Sequence, residues 1–190
     1  MKLIVGLGNI GAEYAKTRHN IGFLMLDHLC YQYGLSWAEK SRFKAEIAEG
    51  EVQGVRVLLA KPLTFMNASG EAVRSIIDFH KSKHHDVLVI HDDADIDFGK
   101  ARIVQGRTPP AGGGGHKGII SLYQHGLDDV WRLKIGVSNE HRQPGQAIDF
   151  VLTRFEQTEW DQLSHLAEAV SEKAKVFIDG QISPGSFTWL

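Results

Sequence analysis

Short apolar runs rich in β-branched residues alternate along this chain with longer stretches of helical period, and that alternation predicts an α/β fold. Residues 2–7 and 87–90 read as buried strands. Residues 21–33, 68–81 and 159–179 repeat apolar side chains at helical spacing. The length of 190 residues and the 43% hydrophobic content suit one full core. No internal repeat or linker divides the chain, so residues 1–190 are read as a single domain.

The opening strand empties into Gly6-Leu7-Gly8-Asn9-Ile10-Gly11 and then Tyr14, Thr17, Arg18, His19 and Asn20. Ligands of open α/β sheets bind at the carboxyl ends of strands, so this corner is read as one wall of a site. The helix over 21–33 follows from Ile21, Leu24, Met25, Leu29 and Tyr33, with Asn20 as its expected N-cap and Gly34 as its stop. Strands over 43–48 and 55–60 flank EGEVQG, whose two glycines predict a hairpin, and Lys61-Pro62 ends the second. Leu63-Thr64-Phe65-Met66-Asn67-Ala68-Ser69-Gly70 is a second polar corner, and on capping preference alone Asn67 caps the helix over 68–81.

The almost unbroken apolar run at 87–90 predicts a central strand buried on both faces. It delivers His91-Asp92-Asp93 as a third corner. A turn over 95–99 and a strand over 100–105 follow. Residues 107–118, RTPPAGGGGHKG, form a glycine-rich loop without a core-forming residue, read either as a flexible linker, which is unusual inside a domain of this size, or as a mobile ligand-binding loop. A short helix over 119–125, an alternating strand over 132–137 and a polar loop over 138–145 with Arg142 come next. The last helix starts at Thr158-Glu159-Trp160-Asp161 and stops at Gly180.

The formal charge of -2 does not by itself mark a nucleic-acid binder, but the charge is uneven. Residues 99–134 carry Lys100, Arg102, Arg107, Lys117, Arg132 and Lys134 against Asp128 and Asp129. Such a local basic face attracts phosphates even on a mildly acidic protein. Residues 149–180 carry Asp149, Glu156, Glu159, Asp161, Glu168, Glu172 and Asp179 against Arg154, Lys173 and Lys175. The single cysteine, Cys30, excludes an internal disulfide and reads as a core residue of a protein in a reducing compartment. No stretch reaches the roughly 18 apolar residues of a membrane span, and the apolar start is too short and glycine-broken for a signal peptide. A cytoplasmic protein is expected.

Two chemistries compete for the corners. Gly6-x-Gly8-x-x-Gly11 with Asp27 fits a dinucleotide fingerprint literally, but the required helix does not begin inside the glycines and Asp27 falls in a helical pattern. The other is a hydrolytic site. Asp92 at a strand end could accept a hydrogen bond from one His19 nitrogen and leave the other to take a proton from water. Asn9 and Asn67 both donate and accept, and so could orient a carbonyl or a water. Such a site needs no metal, and His84-His85 lacks zinc-ligand spacing. Taken alone, His19 reads as a structural histidine, and only the strand-end placement permits its pairing with Asp92.

The motifs LIVGLGNIGAEYAKTRHNIGF, KPLTFMNASG, HDDADIDFGKARI, GGGHKG, WRLKIGV and FVLTRF, in this order over most of the chain, resemble those of bacterial peptidyl-tRNA hydrolases. The resemblance implies a twisted mixed sheet surrounded by helices and hydrolysis of the ester between a peptide and the 3' ribose of tRNA, which recycles tRNA from abandoned translation. Carried over by motif, His19 is the general base, Asp92 holds and polarises it, and Asn9 contacts the peptide beside the ester. Tyr14, Phe65 and Asn67 line the channel for the peptidyl-adenosine end. Lys134 meets tRNA phosphate with Arg102 as helper, and Lys117 stands where substrate contact is expected. The implied partner is peptidyl-tRNA, held by its acceptor stem and 3' end. No cofactor, metal, membrane or obligate protein partner is expected, and the expected form is a monomer.

The chain departs from the family pattern on the side expected to face tRNA. Lys117 replaces the usual asparagine of Gly-His-Asn-Gly, and lysine only donates where asparagine also accepts. The segment Thr108-Pro109-Pro110-Ala111 looks longer than its counterpart, and Val104 stands where a basic residue is common. Ile10 replaces a common proline. A second class therefore stays open, an RNA-binding relative without hydrolysis, as in plant organelle splicing factors similar to this family.

Overall fold

Alternation along the first strand, β1 (Lys2–Gly6), divides the molecule in two: Leu3 and Val5 enter one apolar core, Ile4 the other. The same split recurs in β4 (Val55–Pro62), between Leu58 and Leu59, and in β5 (Val87–Asp97), between Val89 and Ile90. These are the central strands, and an apolar run buried on both faces is what a parallel sheet centre requires. The computed structural model describes residues 1–106, 115–143 and 145–190, so Arg107 and the Thr108-Pro109-Pro110-Ala111 segment lie outside the described residues.

The remaining strands are β2 (Ala38–Lys40), β3 (Ala45–Val52), β6 (Lys100–Gln105), β7 (Trp131–Ser138) and β8 (Gly185–Thr188). They join one mixed sheet in the order β2-β3-β4-β1-β5-β7-β6-β8. Strand β1 is parallel to β4 and β5, and β5 to β7, while the other pairings are antiparallel. Helices α1 (Ile21–Gln32) and α5 (Gln157–Ile178) fill the core on one face of the sheet. Helices α2 (Ser69–His80) and α3 (Lys117–Gln124) fill the other, and short α4 (Ala147–Val151) adds Phe150 and Val151 to the first.

The hairpin at EGEVQG is present, with β3 and β4 paired from Val52–Val55 outward and Gln53 and Gly54 at positive φ. Three details differ from the sequence reading. Strand β5 continues through Asp97 where a turn over 95–99 was expected. Its register against β7 slips between Asp93 and Asp97, and a side chain on Gly136 would run into the Ile96 and Asp97 carbonyls. The bulge absorbs the extra residues that otherwise read as a turn. Helix α5 starts at Gln157, two residues before the expected Glu159, because Glu156 and Glu159 form a reciprocal capping box. Strands β2 and β8 are short and largely exposed and helix α4 spans only five residues, so they carry no apolar period to read.

The expected asparagine caps are also corrected. Asn20 precedes α1 and Asn67 lies in a 3-10 turn (Met66–Ala68) before α2, yet no side-chain cap bond forms at either helix. Both side chains are released for other work.

Gly6 and Gly22 let α1 lie directly on the end of β1. A Cβ on Gly22 would sit 2.5 Å from the Ile90 and Leu7 carbonyl oxygens. Backbone cannot yield there as a flexible side chain would. We expect Gly22→Ala to cost about 1–3 kcal/mol or more by forcing α1 off the sheet, read as a lowered urea midpoint with an unchanged slope.

Candidate active site

The three polar corners meet because β1 and β5 are neighbours whose pairing ends at Gly6 and Ile90, with the Leu7 amide donating to the Ile90 carbonyl at 3.0 Å. Beyond those ends opens a cleft of about 1200 Å³. Asn9, Tyr14, His19, Phe65, Asn67, Asp92, Arg102, Lys117 and Lys134 all line it, so every residue expected at the site reaches the same space. The dinucleotide reading fails, since Asp27 lies on α1 and binds Lys61 at 2.8 Å.

His19 belongs to a buried 3-10 turn (Arg18–Asn20) and its Nδ1 lies 2.8 Å from Asp92 Oδ1. The same carboxylate oxygen is 3.0 Å from His116 Nε2. His116 caps α3: its Nδ1 accepts from the amides of Gly118 at 3.1 Å and Ile119 at 3.4 Å. An accepting Nδ1 places the His116 proton on Nε2, aimed at Asp92. Asp92 in turn draws the neutral His19 proton to Nδ1 and leaves the Nε2 lone pair open. The two imidazoles lie 4.7 Å apart between centroids.

Charge follows this geometry. Burial pulls the His19 pKa down, but the charge and hydrogen bond of Asp92 outweigh it and hold it above 6.5, with Lys117 opposing. Burial pushes Asp92 up, yet His19 and His116 hold it far below the ordinary carboxylate range. The two N–H donors therefore favour the ionised carboxylate. His91, fully buried, is pushed well below its ordinary value first by desolvation and then by His116 and Arg132, and donates from Nδ1 to the Asp92 carbonyl at 2.7 Å.

Asn20, freed from capping, fixes Asn9. Its Oδ1 accepts from the Asn9 amide and its Nδ2 donates to the Asn9 carbonyl, both at 2.9 Å. The Asn9 side-chain oxygen accepts from the Met66 amide at 3.0 Å, which turns its NH₂ group toward other partners. The residue before Met66, Phe65, has φ 54 and ψ 161, a region that side chains avoid and that marks strain held by its surroundings. Phe65 is 52% exposed at the cleft. Ile120, Ile148 and Leu152 are also exposed there and make an apolar lining.

Two cleft cations are already paired, Lys134 with Asp93 at 2.6 Å and Arg142 with Asp95 at 2.6 Å. Arg102 donates to Ser186 at 3.1 Å. On the buried side of the His19 turn, Arg18 reaches Glu159 at 2.7 Å and stacks over Phe150 and Phe155.

Among the described residues His19, Asp92 and His116 bring ligand atoms within 4.8 Å of one another. The donor set does not fit a cation. With His116 Nδ1 accepting amide protons, a metal on Nε2 would require an imidazolate, and the Asp92 oxygen is already engaged by both histidines. Sequence reasoning missed His116 and Asn20 as working residues. The glycine-flanked histidine ahead of a helix was the available sign of the first, and the second was taken for a cap.

A mixed α/β sheet that holds a carboxylate-paired histidine over an open cleft has the build of a hydrolase of the α/β class. Residues 3–185 match the family model described as peptidyl-tRNA hydrolase. Similar proteins bearing that name include one from Exiguobacterium sibiricum, 48% identical over 180 residues and covering 94% of both chains. Another, from Listeria welshimeri, is 39% identical over 181 residues and covers 93% of this chain and 95% of its own. The crystal structure of peptidyl-tRNA hydrolase from Acinetobacter baumannii aligns with a TM-score of 0.85 at 31% identity, over 95% of this chain and 90% of that one. The chain belongs to the peptidyl-tRNA hydrolase family.

Asn20→Ala removes both bonds to the Asn9 backbone. We expect a loss of about 1–3 kcal/mol in denaturant unfolding, together with a raised KM as Asn9 loosens.

Proposed function

We propose that this chain hydrolyses the ester joining a peptide to the 3' ribose of tRNA, with His19 as general base and residues 1–190 acting as one unit. The 2.8 Å contact of His19 Nδ1 with Asp92 carries the reading. Family membership supplies the substrate class. An intact proton-handling pair favours the hydrolase over an RNA-binding relative without activity.

The 3' adenosine enters between Tyr14 and Phe65, with Asn67 beside it, and the apolar lining takes the peptide. Water loses its proton to His19 Nε2 as its oxygen attacks the ester carbonyl. Asp92 stabilises the imidazolium that forms. The Asn9 NH₂ group stands as a donor for the oxyanion. Collapse of the tetrahedral intermediate expels the ribose 3' oxygen, which takes the proton from His19, and acid and tRNA leave. Lys134 and Arg102 meet acceptor-stem phosphates, so affinity falls with salt. No helix among the described residues is long and apolar enough to cross a membrane, and the proposed setting is a monomer in the cytoplasm.

His19→Ala should lower kcat by about 10²–10⁴-fold with little change in tRNA affinity; a substantial remaining rate on an N-blocked aminoacyl-tRNA rejects the base assignment. His19 works only when neutral and its pKa is raised, so the rate falls as pH drops through a value above 6.5. Asp92→Asn removes the charge that raises it. The acid limb should move to lower pH while kcat falls, and an unmoved limb counts against the pairing. Lys134→Ala should raise KM and flatten the dependence of log affinity on log salt by about one unit; an unchanged slope removes Lys134 from the tRNA face.

A further inference from the structure

We propose that Lys117 sets how far into acid the enzyme works, acting through His19 rather than as a phosphate clamp. Lys117 is the first residue of α3 and directly follows His116, whose ring packs 4.7 Å from that of His19 and shares its carboxylate oxygen. It lines the cleft and is exposed. Among the described residues its ammonium has no ion-pair partner, whereas Lys134 and Arg142 each hold an aspartate.

The groups around His19 leave Lys117 as the opposing charge. From β5 comes Asp92, which favours the imidazolium. His116 from the start of α3 donates to that same carboxylate. Lys134 and Asp93 line the same cleft as an ion pair, so their charges largely cancel. On its own turn Arg18 points away into Glu159 of α5, and Asn20 is neutral. Arg154 forms a backbone bridge with Thr17, just ahead of the turn. A cation at Lys117 disfavours a second cation on His19, and the two sites act in opposition on one proton.

The consequence is larger when substrate is bound. A nucleic-acid 3' end brings phosphates into the cleft, and their negative charge would draw a proton onto the base at the moment it must be free. Lys117 offsets that field. Its removal should therefore disturb the kcat profile, which reports the bound complex, more than the kcat/KM profile, which reports the free enzyme.

The test is the titration of the His19 imidazole by NMR in the free protein, beside kcat against pH, in wild type, Lys117→Met and Lys117→Arg. An exposed position at a helix start tolerates both substitutions. We expect His19 of Lys117→Met to titrate at higher pH, the acid limb of kcat to move the same way, and turnover at about pH 6 to fall further than at about pH 8. Lys117→Arg should restore both. An unmoved His19 titration in Lys117→Met overturns the inference, and a raised KM beside it would make Lys117 a substrate contact instead. The kinetic half rests on His19 as base, but the NMR titration does not. If His19→Ala kept its turnover, the base assignment would fall while the titration still decided the effect of Lys117.

Discussion

Asp92 Oδ1 accepts a hydrogen bond from each of two histidines that arrive on different elements, and the cleft is arranged to make that possible. A carboxylate taken out of water costs several kcal/mol unless its lone pairs are met. Asp92 is buried on β5 just past its pairing with β1, so its ionisation depends on those two N–H donors. The requirement reaches outward. His19 must stand on a turn pressed against β5, which Gly6 and Gly22 permit by letting α1 lie on the strand ends. His116 must present its Nε2 proton, which the first amides of α3 ensure by binding the other nitrogen. Three segments distant in sequence are thus tied to one oxygen atom.

The same turn is anchored from behind by a second buried charge. Arg18 is 2% exposed, pairs with Glu159, donates from Nε to Thr153 Oγ1 at 3.3 Å and lies over Phe150 and Phe155. Glu159 also accepts from Asn139 at 2.9 Å and from the Glu156 amide at 2.9 Å. An ion pair at this depth adds little net stability, since desolvation consumes most of its attraction. Its effect is on place: β7's end, α4, α5 and the His19 turn share one set of contacts. Neighbouring residues of one turn therefore divide the labour, with Arg18 turned to the scaffold, His19 to the chemistry and Asn20 to the Asn9 loop.

What the sequence made legible follows from what its patterns encode. Residues 87–90 declared a strand buried on both faces because every side chain there is apolar, and β5 lies between β1 and β7. Asn9, His19, Asn67 and Asp92 could be grouped because strand ends gather ligands in such sheets, and all four line the cleft. Strand β8 and helix α4 have no comparable period, β8 because its residues mostly face solvent and α4 because five residues are too few to repeat one. The bulge after Asp93 was hidden because it depends on Gly136, far along the chain. Asn20 shows the deepest limit. Its residue type and position favour a cap, but two bonds to Asn9, eleven residues back, outcompete one local bond.

Net charge concealed the character of the cleft for a related reason. The aspartates that follow Asp92 do not repel a polyanion as free charges would, because Asp93 and Asp95 are spent on Lys134 and Arg142. A phosphate that takes Lys134 must displace Asp93, so one anion is exchanged for another and the net gain is smaller than for an unpaired cation. On the proposed reading this suits the reaction. The tRNA is bound before hydrolysis and must leave after it, and uniform attraction to its backbone would slow release without assisting the chemical step. Pairing the outer cations keeps that attraction modest. Lys117 differs because it stands beside the base, where a positive charge changes the proton affinity of His19 instead of merely retaining the product.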